Sequence, residues 1–105
     1  MAQKRVFFLN RLREGVDPAE YEAWIRRVDY PVARAQGAIT SYTVTRIEGT
    51  LSGEDVSPYD YLEVIDITDL EAYRALGSLP EFEQLLQEWS QFVAEAVMIH
   101  GEVID

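Results

Sequence analysis

The chain has 105 residues, 48% hydrophobic and 11% aromatic, which is typical of a single globular domain spanning residues 1–105. Its formal net charge of -10 argues against nucleic-acid or anionic-membrane partners, because those surfaces are bound mainly through clustered Lys and Arg. The absence of Cys excludes disulfides and thiolate metal sites and, with no long apolar segment at the N-terminus, favours a cytoplasmic protein.

The first predicted elements are a strand over residues 4–12 and a helix that starts at Pro18. The helix start has a cap at Asp17, a proline at the first helical position and a Glu at position 20, three residues after the cap. Gly37 is expected to end the helix. Apolar residues follow helical spacing between these ends, at Tyr21, Trp24, Ile25, Val28, Val32 and Ala35.

Pro31 falls inside this helix, where a proline removes one hydrogen bond and costs about 3 kcal/mol. We interpret the position as a joint: the first helical piece ends near Val28, and Asp29 caps a second piece with Tyr30 and Pro31 in its first turn. The joint would turn Asp29 and Tyr30 toward the apolar stripe. The alternative is a kink that only lets the helix follow a curved sheet.

A β-hairpin is predicted next. Residues 38–48 and 59–67 are rich in β-branched and aromatic residues, and the polar, turn-rich segment 49–58 separates them. In the second of these strands Glu63 shares a face with Tyr61 and Ile65, so a carboxyl group lies among apolar side chains.

Two further helices and a final strand complete the prediction. Thr68–Glu71 is a capping box that opens a short helix through Leu76, and Ser78–Glu81 opens a longer helix. Residues 97–104 are predicted as the last strand. The longer helix continues into a second apolar stripe, formed by Phe82, Leu85, Leu86, Trp89, Phe92, Val93 and Ala96.

The order βαββαβ predicts an α+β, ferredoxin-like fold with a four-stranded antiparallel sheet and both helices on one face. The first and last strands contain the apolar runs 6–9 and 97–99, so both faces of the sheet are expected to be buried. A second copy of the sheet is the simplest cover, which predicts a homodimer with a barrel-like core. The alternative is a monomer with an apolar open sheet.

The stretch WIRRVDYPVARAQGAITSYTVTR (24–46), with YDYLEVIDI (59–67) and SLPEF (78–82), resembles the RedY-like family of dimeric α+β barrel proteins. The resemblance implies a ligand cavity between the first helix and the sheet. It also implies a flat pyrrole or indole intermediate of prodiginine-like pigment biosynthesis as the ligand, and a cyclisation or condensation role for some members.

The residues that could carry chemistry are few. One His, no Cys and no metal-binding or glycine-rich motif predict neither a metal nor a nucleotide cofactor. The catalytic candidates are His100, because imidazole titrates near neutral pH, together with Asp29 and Glu63. Burial would raise the pKa of Glu63 and make it a general acid or base. The alternative for Glu63 is an ion pair with Arg11, Arg13 or Arg46.

Aromatic and amide side chains supply the binding candidates, which are Asn10, Trp24, Tyr30, Tyr42, Tyr61 and Trp89. Three functions fit this set. The first is a cofactor-independent acid/base enzyme that acts on an aromatic intermediate. The second is a binding protein that shields or delivers such an intermediate, and the third is a cofactor-free monooxygenase.

Overall fold

A computed structural model describes residues 2–105 and confirms the predicted fold class. The sheet is antiparallel throughout, with strand order β2-β3-β1-β4, which is the ferredoxin-like arrangement. Its strands are β1 (Lys4–Leu12), β2 (Ile39–Arg46), β3 (Tyr61–Ile67) and β4 (Val93–Glu102).

The helices lie on one side of this sheet. They are α1 (Pro18–Trp24), α2 (Tyr30–Arg34), α3 (Leu70–Ala75) and α4 (Pro80–Phe92), with a π-helical turn over Ile25–Asp29 and a 3-10 turn over Leu76–Ser78. The start of α1 is as predicted, since Asp17 accepts a hydrogen bond from the backbone N–H of Ala19. Within residues 2–105, no helix is long and apolar enough to cross a membrane.

Two predicted helix caps are wrong by one residue. Asp69, not Thr68, caps α3, and its carboxylate accepts the backbone N–H of Ala72 at 2.8 Å. Leu79, not Ser78, precedes α4 with extended backbone angles and no side-chain cap. In both cases the predicted cap still belongs to the preceding segment: the backbone N–H of Thr68 donates to the carbonyl of Ala38, and the hydroxyl of Ser78 donates to the carbonyl of Ala75.

The last strand starts earlier than the sequence indicates. β4 begins at Val93, directly after the last residue of α4, so Val93 and Ala96 of the predicted helical stripe lie on a strand. These two residues still contribute to the core, Val93 as a buried residue and Ala96 packed against it. Helical and strand periodicity cannot be told apart over the four residues 93–96, so the sequence pattern predicts the boundary at residue 97.

The helix irregularity at Pro31 is a widened turn, and the predicted cap at Asp29 is wrong. Asp29 has helical backbone angles (φ -62°, ψ -55°), and its side chain makes no capping hydrogen bond. The backbone N–H of Tyr30 bonds to the carbonyl of Ile25, five residues earlier, which is π-helical geometry. A turn with an extra residue gives the proline ring room beside the preceding carbonyl groups.

This extra residue shifts the inward face of the helix by one position. The regular period predicts Val28 and Val32 as core residues, but both are half-buried, whereas Asp29 and Ala33 are buried. A carboxyl group therefore occupies a core position that the periodicity assigns to an aliphatic side chain.

The two faces of the sheet differ in cover. Beneath the helices β1 and β3 bury Val6, Asn10, Tyr61, Glu63, Ile65 and Ile67. We call the opposite side the outer sheet face; by strand alternation it carries Phe7, Leu9, Leu62, Val64, Val97 and Ile99. Those six side chains are half-buried or exposed, so both sides of the central strands are apolar, but within one chain only the side beneath the helices is buried.

Candidate functional site

A recess lies between the sheet and the helices, and it has two adjoining parts. The inner chamber has a volume of about 50 Å³ and contains both buried carboxyl groups; its lining is Phe8, Asp29, Ala33, Ile39, Tyr42, Glu63, Ile65, Tyr73, Phe82, Leu85, Leu86 and Trp89. The outer cleft, of about 350 Å³, shares Phe8, Tyr73, Phe82, Leu86 and Trp89 with it and adds Arg74, Leu76, Gly77 and Met98. The recess is thus aromatic and aliphatic except for its innermost end and for Arg74 in the outer cleft.

One hydroxyl group joins the two carboxyl groups. The Oη of Tyr42 lies 2.5 Å from Oδ2 of Asp29 and 2.9 Å from Oε1 of Glu63. The amide Nδ2 of Asn10 donates to the other oxygen of Glu63, at 2.5 Å. Asn10, Glu63, Tyr42 and Asp29 therefore form one continuous hydrogen-bonded chain, which we call the carboxyl relay.

Strand register places three members of this relay. Tyr42 pairs with Ile65 and Asn10 pairs with Tyr61, so each lies diagonally across from Glu63 on a neighbouring strand. Diagonal neighbours on one face are within reach of long side chains. Asp29 comes from the π-helical turn above them, so the relay depends on both the register and the widened turn.

The proton count of the relay follows from the chemistry of its central hydroxyl. A tyrosine hydroxyl has one proton, so it can donate to only one carboxyl group and must accept from the other. Both contacts are satisfied when Tyr42 donates to Asp29 over the shorter distance and a protonated Glu63 donates to Tyr42. This arrangement makes Glu63 the acid and Asp29 the ionised group.

The electrostatics of the site agree with that assignment. Burial, followed by repulsion from Asp29, raises the pKa of Glu63 to about 7, against the hydrogen bonds that it receives. Burial raises the pKa of Asp29 less, to about 6, because the Tyr42 hydrogen bond and the charge of Arg34 oppose it. Each carboxyl residue is only 5% exposed. The pair therefore changes protonation near neutral pH, where general acid/base catalysis is most effective.

Further polar atoms next to the relay have no hydrogen-bond partner within residues 2–105. They are Oδ1 of Asn10, Oη of Tyr21 and Nε1 of Trp89. The indole N–H of Trp89 lowers the pKa of Glu63, although it forms no hydrogen bond of ordinary geometry. Trp89 also lines both parts of the recess, and its indole N–H is buried without a hydrogen-bond partner.

The predicted ion pair of Glu63 with an arginine is wrong. Arg11 pairs with Glu95, Arg46 pairs with Glu22, and Arg13 donates to the carbonyl of Ser90. Glu63 accepts instead from Asn10 and contacts Tyr42, both neutral. A neutral environment is what allows its pKa to rise.

Four predicted binding residues do not line the recess: Asn10 belongs to the carboxyl relay, and the other three lie elsewhere. Trp24 donates its indole N–H to Glu88 at 2.8 Å and thereby links α1 to α4. The hydroxyl of Tyr61 donates to Glu22 at 2.6 Å, and the hydroxyl of Tyr30 accepts the backbone N–H of Val44 at 2.8 Å. Tyr30 is therefore not paired with Asp29, and the three side chains join elements of the core.

His100 also lies away from the carboxyl relay. Phe8 of β1 pairs with Glu63 on one side and with Met98 on the other, and His100 is two residues farther along β4. Two strand spacings separate β3 from β4, so His100 is roughly 10 Å to the side. It is exposed and does not line the recess.

Sequence reasoning missed several residues of the recess, of which Tyr73 is the titratable one shared by both parts. Its ring lines both parts, and its pKa is raised by burial and by the charges of Glu63 and Asp29. The signal was its position on the apolar side of the short helix, three residues from both Leu70 and Leu76. Among residues 2–105, no group of three or more His, Cys, Asp or Glu could hold a metal ion.

The family model described as REDY-like protein HapK matches residues 4–104. The crystal structure of HapK from Hahella chejuensis has 27% sequence identity and a TM-score of 0.81, over 96% of this chain and 92% of that chain. Among curated proteins, no sequence matches.

More distant structures share the fold alone. A dimeric ferredoxin-like protein of unknown function from Thermobifida fusca is 22% identical, with a TM-score of 0.74 over 97% of this chain and 92% of that one. Hydroxynitrile lyase from Passiflora edulis is 8% identical, with a TM-score of 0.79 over 98% of this chain and 94% of that one.

Proposed function

Because this chain belongs to the family of REDY-like HapK proteins, we propose that it is a cofactor-independent acid/base enzyme acting on an aromatic pyrrole or indole intermediate. The setting that we propose is the biosynthesis of a prodiginine-like pigment in the cytoplasm. The observation that carries the proposal is the buried carboxyl relay at the closed end of an aromatic recess.

Glu63 and Asp29 have opposite roles in this proposal. Protonated Glu63 is the general acid, and ionised Asp29 is the general base. Tyr42 carries the proton between them, and Asn10 holds the second oxygen of Glu63. Burial keeps bulk water from competing for these protons, since Asn10 is fully buried and both carboxyl residues nearly so.

These groups supply every proton transfer that a condensation with loss of water requires. Glu63 gives its proton to a hydroxyl on a carbon next to one ring, and water leaves with the electrons of the C–O bond. A ring carbon of the second aromatic unit supplies the electron pair of the new C–C bond. Asp29 then removes the proton displaced from that ring carbon. Transfer of this proton through Tyr42 to Glu63 restores the starting state.

The apolar lining supports the choice of a flat substrate. Phe8 and Trp89 meet edge to face with ring centroids 6.0 Å apart, and Tyr73 and Phe82 complete the aromatic walls of both parts. Such walls hold planar rings, and a few polar groups at one end fix their orientation. The same mostly apolar lining also supports the second candidate, a binding protein that shields the intermediate unchanged.

Turnover distinguishes these candidates. Purified protein is incubated with pyrrole and indole carbinols and a second pyrrole, and products are followed by mass spectrometry. We expect a coupled product lighter than its two precursors by one water, and a rate about 10²–10⁴-fold lower in Glu63→Gln and Asp29→Asn. Glu83→Gln, an exposed carboxyl of α4, is the matched control. Tight binding with unchanged precursor mass indicates the binding protein, and oxygen uptake indicates a monooxygenase; either result overturns the proposal.

We also propose that the protein is a homodimer formed through the outer sheet face. Six apolar side chains lie there, and Ile99 is 51% exposed in a single chain. Ion pairs on the same face flank them, namely Arg5 with Asp66 and Arg11 with Glu95. A contiguous apolar face with a charged border is typical of a protein interface.

A further inference from the structure

The buried carboxyl pair lies in a recess almost without positive charge. Of the described residues that line it, only Arg74 is cationic, and Arg74 is an exposed residue of the outer cleft. An ionised carboxyl group without a cation is costly inside a protein, and protonation is one way to avoid that cost. A positively charged ligand is the other.

The arginine nearest to the pair does not act as its counter-ion. Arg34 donates to the backbone carbonyl of Tyr42 at 2.8 Å, and its guanidinium lies 3.7 Å from the centre of the Tyr30 ring. It lowers the pKa of Asp29 from a distance, but Asp29 forms no ion pair within residues 2–105. The direct contact of the Asp29 carboxylate is therefore the Tyr42 hydroxyl, and Arg34 acts on its charge only from a distance.

We propose that the recess selects planar nitrogen heterocycles in a positively charged form and rejects their anionic analogues. The inference rests on the proposed function for the location of the site, and it adds the charge of the preferred ligand. A delocalised cation with N–H donors could bond Asp29 and Glu63 together, while its flat faces pack against aromatic walls that favour cations.

The preference has a consequence for the proposed reaction. When Glu63 gives up its proton and water leaves, the remaining electrophile is a cation conjugated with the heteroaromatic ring. At that moment both Glu63 and Asp29 are ionised and lie at the same end of the recess. The site is then complementary to the charged intermediate more than to the neutral precursor, which is the condition for rate enhancement.

Binding of a cation should be linked to proton release. The titratable and charged groups that face the pair are tyrosines and one arginine, namely Tyr21 from α1, Arg34 from α2, Tyr42 from β2 and Tyr73 from α3. These tyrosines stay protonated near neutral pH because burial raises their pKa values. The protons released therefore come from Glu63 and Asp29.

Three small molecules of nearly equal shape test the charge preference. Benzamidine is a cation, benzamide is neutral and benzoate is an anion, and titration calorimetry gives their affinities at pH 7. We expect benzamidine to bind at least tenfold more tightly than benzamide, benzoate to bind most weakly, and the affinity for benzamidine to rise between pH 5 and 8. Repeating the titration in buffers of different ionisation enthalpy measures the protons released.

Variants separate charge from shape. Asp29→Asn should abolish the advantage of benzamidine over benzamide and leave the affinity for benzamide within about twofold, whereas Glu83→Gln should change neither. Equal affinities of the wild-type protein for the three molecules, or no binding of benzamidine at millimolar concentration, overturn the inference. Those results would not contradict the proposed reaction, which the turnover assay tests separately. Conversely, absence of turnover with intact selectivity for the cation would overturn only the proposed reaction.

Discussion

Asp29 and Glu63 contact the same oxygen atom, the hydroxyl of Tyr42, at 2.5 and 2.9 Å. Because that hydroxyl has a single proton, both bonds cannot persist when the two carboxyl groups are ionised together, whereas one protonated and one ionised carboxyl group satisfies them. Nearly complete burial, with 5% exposure for each carboxyl residue, makes the asymmetry stable near neutral pH. An acid and a base thus lie on either side of one phenol.

Removal of the shared hydroxyl should break the hydrogen-bonded link between the two carboxyl groups. We expect Tyr42→Phe to lower the unfolding free energy by about 1–3 kcal/mol, since buried polar groups lose a partner. Turnover should fall by about 10²-fold or more, because the relay can no longer return its proton. Urea unfolding and the coupling assay measure the two effects. Tyr59→Phe, outside the recess, is the control, and a Tyr42→Phe protein with normal turnover would refute the relay.

The stability of the protein should depend on pH through the same pair. Burial raises the pKa of Glu63 from 4.5 to about 7 and that of Asp29 from 3.8 to about 6, so the folded chain holds these protons more tightly than the unfolded chain. Their stabilising contribution is complete below the unfolded values and is lost as the pH rises to about 7. The unfolding free energy of Glu63→Gln minus that of wild type should therefore rise by about 2–3 kcal/mol between pH 5 and pH 8.

Glu22 provides a control of opposite sign for that measurement. Hydrogen bonds from Arg46 and Tyr61 lower its pKa from 4.5 to about 2, so its contribution is present above pH 4.5 and is lost as the pH falls toward 2. The difference between Glu22→Gln and wild type should stay constant from pH 5 to 8 and shrink in acid. A flat difference for Glu63→Gln across the neutral range would contradict the raised pKa of Glu63.

The pH dependence of turnover should report the carboxyl pair. We expect kcat to be greatest between about pH 6 and 7, where Asp29 is ionised and Glu63 still protonated. Asp29→Asn should remove the acidic limb of the profile and Glu63→Gln the alkaline limb. Because His100 is exposed and outside the recess, His100→Ala should keep both limbs and change kcat less than threefold. Loss of either limb of the pH profile of kcat in His100→Ala would show that His100 takes part in the reaction.

The proposed dimer is tested on the outer sheet face. Val64 pairs with Phe7 near the middle of that face, so Val64→Lys would place a charge in the apolar contact. Sedimentation at micromolar concentration should give twice the mass of one chain for wild type, and a dissociation constant at least tenfold higher for the variant. Gln87→Lys, on the exposed side of α4, should sediment as wild type. A monomeric wild-type protein would refute the dimer.

Much of the fold was predictable because local pattern decides it. The period of two in β3 puts Tyr61, Glu63 and Ile65 on one face, and the cap at Asp17 fixes the start of α1. Boundaries were less certain where one pattern runs into another, as at Val93. For Glu63 the sequence also indicated a buried carboxyl group, but it could not tell a neutral partner from an arginine.

By itself the sequence determined the βαββαβ order, the two apolar sides of the sheet and the irregularity at Pro31, since each depends on neighbouring residues alone. Only the tertiary structure decided which groups meet. A strand register aligns Asn10 and Tyr42 with Glu63, and one extra residue in a helical turn exchanges Val28 for Asp29 at the core. Distances between strands and the phase of a helix after a bulge are set by packing, which a one-dimensional pattern does not record.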